Sequence, residues 1–208
     1  MTSGSSATIR DSRIDIKGFG STVAVKGIDA DGAVTVVDTD VTAADGAETT
    51  RGIDVSSTGS LTMSGGSVTA SDASTIISGT RTNETFGMVV SHPTTLRNVD
   101  VAVTDAPPGA PVAGIKSSAS ALLVRDSRIS ATSANTDRAL QVTGGAATLE
   151  GSQIEATGTG DIGIERTGIG SVKVGTSRIS AATETSGSSI VCAFSYDAAF
   201  APLSATCG

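Results

Sequence analysis

Apolar and polar residues alternate along this chain in short motifs that return every 25 to 33 residues. The motif is clearest at Val124–Ala131, Leu149–Ala156 and Val174–Ala181. Alternation with a period of two is typical of a β-strand that buries one face. Aligning the motifs on one apolar residue gives seven anchor positions, which are Ile14, Val41, Val68, Val101, Ile129, Ile154 and Ile179.

The columns beside the anchor keep their character in all seven motifs. The positions two after and five before the anchor are always apolar, and the position just before it is always polar. The position three before it is mostly Asp, Asn or Gly, the residues that best tolerate a left-handed backbone. We therefore expect a tight corner between two strands at Asp11, Asp38, Gly65, Asn98, Asp126, Gly151 and Thr176.

A second ladder precedes the later anchors and consists of a small residue followed by an apolar one. Each coil then holds three short strands, and only a stack of coils can bury the apolar face of each one. A β-sandwich also has short alternating strands, but it does not predict seven columns in register. The members of this ladder are Gly27-Ile28, Gly52-Ile53, Gly87-Met88, Gly114-Ile115, Ala139-Leu140, Gly163-Ile164 and Ser189-Ile190.

The pattern from about Ala7 to Ile190 resembles the right-handed parallel β-helix of the pectin-lyase-like superfamily. The resemblance implies an all-β solenoid of about seven three-strand coils over residues 1–190, followed by a C-terminal cap over 191–208. In the enzymes of this fold, the substrate groove lies over the first strand of each coil. The three clustered Asp, the His and the Arg-x-Lys motif of polygalacturonases do not occur together here, nor does the Asp cluster of pectate lyases.

The end of the repeat predicts a cap. Composition changes after Ile190, and three aromatic residues follow at Phe194, Tyr196 and Phe200, where large rings suit a lid over the core. Cys192 and Cys207 are the two cysteines of the chain and bracket this lid, so we predict a disulfide between them. A disulfide implies an oxidising compartment, and hence a secreted or cell-surface location. The chain itself begins with a polar run and shows no targeting sequence.

Charge and composition exclude several partners. The net charge of -7 leaves no basic face for nucleic acid. No apolar run approaches the roughly 20 residues of a membrane span. Aromatic residues make up only 2% of the chain, which weakens a sugar-processing role because carbohydrate sites normally use exposed rings. Nothing indicates a cofactor or a metal.

The outward column of the first strands supplies the candidate site residues. Asp29 and Asp54 are expected about 5 Å apart in adjacent coils. Such a pair could act as acid and nucleophile, or bind calcium weakly, although two acids on a solvated face is the interpretation we favour. Further candidates are Glu165 for catalysis, and Lys116 and Gln141 for ligand binding. The long connection 71–86 adds Arg81, Asn83 and Glu84.

These observations lead to three functional hypotheses. The first is a non-catalytic secreted or surface module with a structural, stalk or adhesion role. The second is a carbohydrate-active enzyme or polysaccharide-binding module. The third is an ice-binding solenoid, suggested by an outward column that Leu123 and Lys173 interrupt: Thr8, Thr35, Thr62, Thr95 and Thr148. The expected partners are a polysaccharide or another surface protein, with association through the N-terminal end of the β-helix as a further expectation.

Overall fold

The computed structural model describes residues 5–18, 24–55, 58–72, 84–158 and 160–207. Their regular elements are all β-strands, and successive coils pair in parallel. The chain is therefore an all-β right-handed parallel β-helix, which confirms the predicted fold class. It has about six turns rather than about seven coils. Seven strands carry the anchors, and the chain makes six turns between the first and the last of these strands.

The strands follow one another along the chain with short connections. In order they are β1 (Ser6–Arg10), β2 (Arg13–Lys17), β3 (Val25–Asp29), β4 (Ala33–Ala44), β5 (Thr49–Val55), β6 (Ser60–Ser71), β7 (Glu84–Val90), β8 (Thr94–Arg97), β9 (Asp100–Asp105), β10 (Val112–Ser117), β11 (Leu122–Arg125), β12 (Arg128–Thr132), β13 (Asp137–Glu150), β14 (Gln153–Thr157), β15 (Ile162–Gly175), β16 (Arg178–Ser180), β17 (Thr183–Ser186) and β18 (Ile190–Ala193).

These strands form three ladders that run along the helix. The first-strand ladder contains β3, β5, β7, β10, the first part of β13, the first part of β15, and β17. The second-strand ladder runs from β1 to β18, and the third-strand ladder runs from β2 to β16. In β4 and β6 the second strand continues into the third without a break, whereas in β13 and β15 the first continues into the second.

The anchor residues form the core, as predicted. Each lies opposite the anchor of the next coil, from Ile14 beside Val41 to Ile154 beside Ile179. Every anchor from Val41 onward has no exposed surface. Ile14 is only partly buried, and Ile16 in the same coil is 41% exposed.

The predicted corner recurs in every coil. All seven residues three before the anchors have positive φ, between 45° and 69°. Thr176 is the unexpected member because a β-branched residue is disfavoured there. Its hydroxyl accepts a hydrogen bond from the Gly151 amide at 3.2 Å in the neighbouring coil, which offsets part of that cost.

A buried serine ladder follows the corner and was missed by the sequence analysis. The backbone amides of Ser127, Ser152 and Ser177 each donate to the serine hydroxyl of the next coil, at 3.3, 3.1 and 3.4 Å. The last acceptor is Ser195. Each hydroxyl also donates to the carbonyl two residues earlier in its own coil. These bonds fix the spacing between successive corners.

Glycine in the Gly-Ile motif makes room for the anchor. A Cβ on Gly52 would lie 2.4 Å from Val68 Cγ1 and 2.6 Å from the carbonyl oxygen of Gly87. Gly114 has the same relation to Ile129, at 2.7 Å. The first strand can therefore approach the third strand closely across the narrow core.

The C-terminal cap is closed by the predicted disulfide. Cys192 and Cys207 are bonded, with 5.2 Å between their Cα atoms. Cys207 is fully buried, and Leu203 packs against the same core cluster. The aromatic lid, however, is wrong: Phe194 is 81% exposed, Phe200 68% and Tyr196 39%. The physical reason is that the disulfide and Leu203 already fill the narrow end of the core, which leaves the rings outside.

The chain continues the coil pattern into the cap before turning back. β18 pairs in parallel with β15, and Phe194 takes the next corner with a φ of 54°. The returning segment then covers the open edge. The Leu203 amide donates to the Ser195 carbonyl at 2.8 Å, and the Cys192 amide donates to the Ala205 carbonyl at 2.9 Å. Such cover removes a strand edge that would otherwise invite pairing with another chain.

Candidate functional site on the first-strand face

The outward column of the first-strand ladder is stacked in register, as the sequence indicates. Asp29 lies opposite Asp54, Lys116 lies opposite Gln141, and Gln141 lies opposite Glu165. Val89 stands between Asp54 and Lys116 in this column. Arg81 and Asn83 fall within 73–83, outside the described residues.

A second outward row, three residues earlier, completes this face and was missed by the sequence analysis. Lys26, Arg51 and Arg138 precede Asp29, Asp54 and Gln141 by three positions. The sequence did contain a signal for this row, because each of these basic residues stands three places before an outward polar residue. The Lys26–Asp29 and Arg51–Asp54 contacts show that the two rows lie on the same side of the strand. The whole row reads Lys26, Arg51, Phe86, Ala113, Arg138, Ile162 and Thr183.

The two aspartates at one end of the face are linked by ion pairs. Lys26 Nζ lies 3.0 Å from Asp29 Oδ2 and 2.8 Å from Asp54 Oδ2. Arg51 contacts Asp54 at 2.7 Å and Glu84 at 3.3 Å. Asp54 has no exposed surface beneath these two cations, so the interpretation of the pair as two acids on a solvated face is wrong for Asp54. The carboxylates therefore belong to one ion-pair network.

The protonation of Lys26 reflects this network. Partial burial lowers the pKa of the Lys26 ammonium, but hydrogen bonds to Asp54 and Asp29 and the charges of those carboxylates outweigh it. The net result is a pKa above the usual value for lysine. Lys26 is therefore a fixed positive charge between the two acids.

At the other end of the face, Glu165 is held by the coil next to it. Its Oε2 accepts a hydrogen bond from Arg138 Nε at 2.6 Å and another from Gln141 Nε2 at 2.7 Å. Lys116, near the middle, sits over the ring of Phe86 at 4.8 Å from its centroid. Phe86 itself is 1% exposed, so this cation–π contact covers the ring.

A groove of about 570 Å³ opens beside Arg138 and Gln141. Its walls are two of the connections from the third strand to the next first strand, at 109–111 and 134–136. Asn135 ties these walls together, because its side chain donates to the Pro107 carbonyl at 2.8 Å and accepts from the Gly109 amide at 2.6 Å. The groove thus has walls tied by hydrogen bonds and a polar floor.

Two buried acids, Asp137 at the start of β13 and Asp161 just before β15, were not identified by the sequence analysis. Neither has exposed surface. Asp137 accepts hydrogen bonds from the backbone amide and hydroxyl of Ser133, and its own amide donates to Asp161 Oδ1 at 2.8 Å. Burial raises the pKa of Asp137, and the charge of Asp161 raises it further, against opposing effects from Ser133 and Arg138. Their hydrogen bonds to the backbone help to fix the turns that precede β13 and β15.

The described residues were also searched for groups that could bind a metal ion and for helices that could cross a membrane. Among those residues no group of three or more His, Cys, Asp or Glu could hold a metal ion. The described part of the chain also has no helix long and apolar enough to cross a membrane.

The threonine column behind the ice-binding hypothesis is in register from Thr8 to Thr95, and Leu123 in the next coil interrupts it.

Comparisons of this chain with protein-family models, with curated proteins and with solved structures find no match. The structure shows a parallel β-solenoid, and membership of the pectin-lyase-like superfamily stays a prediction from the repeat pattern.

Proposed function

We propose that this chain is a non-catalytic β-helix module of a secreted or cell-surface protein, with a structural, stalk or adhesion role. The observation that carries the proposal is the pairing of the candidate carboxylates. Asp29, Asp54, Glu84 and Glu165 each contact a cation of the same face at 3.3 Å or less. A catalytic carboxylate must be free to engage the substrate, whereas these carboxylates are engaged by the cations beside them.

The Cys192–Cys207 disulfide supports the location in this proposal. Disulfides persist in oxidising compartments and are rare in reducing ones. The same bond suits a structural role outside the cell, because it fastens the end of the rod where the coils would otherwise fray.

A depolymerisation assay tests the absence of catalysis. The protein is incubated with polygalacturonate, xylan, mannan and β-glucan, and reducing ends and unsaturated end groups are measured over time. We expect no product above the buffer control. Turnover by the wild type that is lost in Glu165→Gln would refute the proposal. Glu165→Gln is preferred to Asp54→Ala because Asp54 is fully buried and its removal would strand two cations.

A second candidate function is polysaccharide binding without cleavage in the groove beside Arg138 and Gln141. The observation that favours it is the groove itself, with tied walls and a polar floor. Gln141→Ala would remove a floor amide without removing the Arg138–Glu165 pair. Saturable binding of an oligosaccharide that weakens in this variant would support the groove, and binding unchanged by it would exclude the groove.

A further inference from the structure

The cap carries an exposed apolar surface that the fold does not require. We define the cap face as Val191, Phe194, Tyr196 and Phe200, which are 54%, 81%, 39% and 68% exposed. The chain has five aromatic residues, counting four Phe and one Tyr, and three of them are on this face. Large exposed apolar patches on a folded protein usually mark interaction sites.

The backbone at two of these rings argues against a purely structural role. Phe194 stands in the corner column, where seven coils have Asp, Asn, Gly or Thr, and its φ is 54°. Phe200 has a φ of 62°. A bulky residue with positive φ is strained, whereas Asn or Gly would be relaxed there. Phe is thus unfavourable at both positions for two reasons, because its apolar ring is exposed and its backbone is strained. Backbone strain of this kind is characteristic of functional positions.

The cap holds Phe200 and Tyr196 in place. The Arg178 guanidinium lies 4.9 Å from the centroid of the Phe200 ring and also donates to the Ala198 carbonyl. Asp197 Oδ1 accepts from the amides of Ala199 and Ala201, both at 2.8 Å, and so fixes the turn that carries Phe200. Tyr196 pairs through its backbone with Arg178 on one side and Pro202 on the other. The part of the face that carries Tyr196 and Phe200 is therefore arranged before any partner arrives.

A shallow cleft of about 280 Å³ lies on the outer wall of the second strands, and its lining includes Ala193, the residue before Phe194. Val191 and Ala193 of β18 form one side of the cleft, and Lys173 and Gly175 of β15 form the other. Thr148 and Glu150 of the next coil add polar groups. An apolar cleft with a few polar groups at its border is typical of a site that takes an amphipathic ligand.

The size of the face favours a small partner over a second copy. The three rings expose roughly 400 Å², taking about 200 Å² for each ring. A stable protein interface needs about 800 Å² on each partner. A sugar ring fits the exposed area and its chemistry, because its C–H face stacks on an aromatic ring while its hydroxyls reach polar neighbours.

We infer that the cap face binds a neutral glycan, with sugar rings stacked on Phe194 and Phe200 and an adjoining sugar in the cleft beside Lys173. This inference rests on the proposed non-catalytic adhesion role and names its partner. It places binding at the end of the rod, away from the groove over the first strands.

The test measures binding of cellohexaose, xylohexaose, laminarihexaose and chitohexaose by isothermal titration calorimetry. Phe194→Asn and Phe200→Asn remove the rings, and Asn is relaxed at positive φ, as at Asn98 with a φ of 53°. Ile169→Ser, at a 92% exposed residue that belongs to neither the cap face nor the cleft, is the matched control. We expect one of these sugars to bind saturably, each Asn variant to bind roughly tenfold more weakly, and the control to bind like wild type.

The other outcomes overturn the inference in different ways. Binding that is unchanged in both Asn variants and lost in Gln141→Ala would move the site to the groove. Absence of binding by all four sugars would also reject the inference. Self-association of wild type that disappears in Phe194→Asn would identify a second copy as the occupant. None of these results bears on the absence of catalysis, which only the depolymerisation assay can refute.

Discussion

The side of the strand that a residue occupies determines how much its substitution costs. Ile129 and Arg128 are neighbours in β12, yet Ile129 has no exposed surface and Arg128 lies on the outer wall. Arg128 contacts Asp100 at 3.8 Å and Glu155 at 2.8 Å, which are cross-coil pairs of opposite charge. Exposed pairs of this kind contribute little to stability, whereas a buried unpaired charge is prohibitive.

Ile129→Asp should prevent cooperative folding, because it places a carboxylate without a partner inside the apolar stack. Arg128→Ser should lower the free energy of unfolding by less than about 1 kcal/mol. Circular dichroism during urea unfolding measures both. Equal damage from the two substitutions would mean that the inward and outward faces of β12 are reversed.

Asp137 provides a pH-dependent prediction. Its pKa is raised in the folded state, so between the unfolded and folded pKa the folded protein binds more protons than the unfolded one. Protonation of Asp137 therefore stabilises the fold as the pH falls through the folded pKa, and this contribution is lost as the pH rises again. The Asp137→Asn variant has no carboxyl group at this position to titrate.

The free energy of unfolding of wild type, minus that of Asp137→Asn, should increase as the pH is lowered from 7 to about 4. Urea unfolding of both proteins at several pH values measures this difference. A difference that is constant with pH, or that decreases toward acid, would contradict the raised pKa of Asp137.

At the scale of the strands, much of the fold could be predicted because each coil repeats the same local chemistry. Period-two alternation gives the strands, and the Asp, Asn and Gly column gives the corner. The outward column containing Asp29 and Glu165 followed from the same register. The ion pairs of this column did not follow, because they depend on Lys26, Arg51 and Arg138 in a row three residues earlier, which period-two alternation assigns to the opposite face.

The cap was harder to predict at this scale because it does not repeat. The cysteines were informative, since two residues bracketing a terminal segment leave few alternatives. The aromatic residues were misleading, since hydrophobicity alone suggests burial. Whether Phe194 could enter the core depended on how much space Leu203 and the disulfide left at its narrow end.

The glycine stack gives a prediction for the first strands. Gly52→Ala should lower the free energy of unfolding by about 1–3 kcal/mol, because the added methyl overlaps Val68 and the Gly87 carbonyl. Gly175→Ala is the control, since its nearest non-adjacent atom is the Leu149 carbonyl oxygen at 3.9 Å. Thermal or urea unfolding compares the two. A Gly52→Ala protein as stable as the control would show that the strands can separate at no cost.

At the scale of the whole molecule, the two ends of the rod differ. The C-terminal end is covered by a returning segment and a disulfide. At the other end, β1 and β2 pair only with β4 among the described strands. The N-terminal association expected from the sequence therefore concerns an end whose described strands have one paired side.

Thiol titration and reduction test the closure of the cap. The denatured, unreduced protein should show no reactive thiol. Reduction should lower the free energy of unfolding by about 3 kcal/mol, because a link spanning 15 residues restricts the unfolded chain. Urea unfolding of the oxidised and reduced forms gives the difference. Two reactive thiols before reduction would remove both the closure and the argument for an oxidising compartment.

The constant corner between the second and third strands makes the length of the rod a modular property. Each coil meets its neighbours through the same corner and the same anchor, so a coil can be duplicated without changing the contacts of the others. Residues 155–179, copied once after Ile179, would add 25 residues and extend the rod by about 4.8 Å. In-frame duplication within a gene could thus change the reach of such a protein in equal steps, while the cap and whatever it binds stay the same.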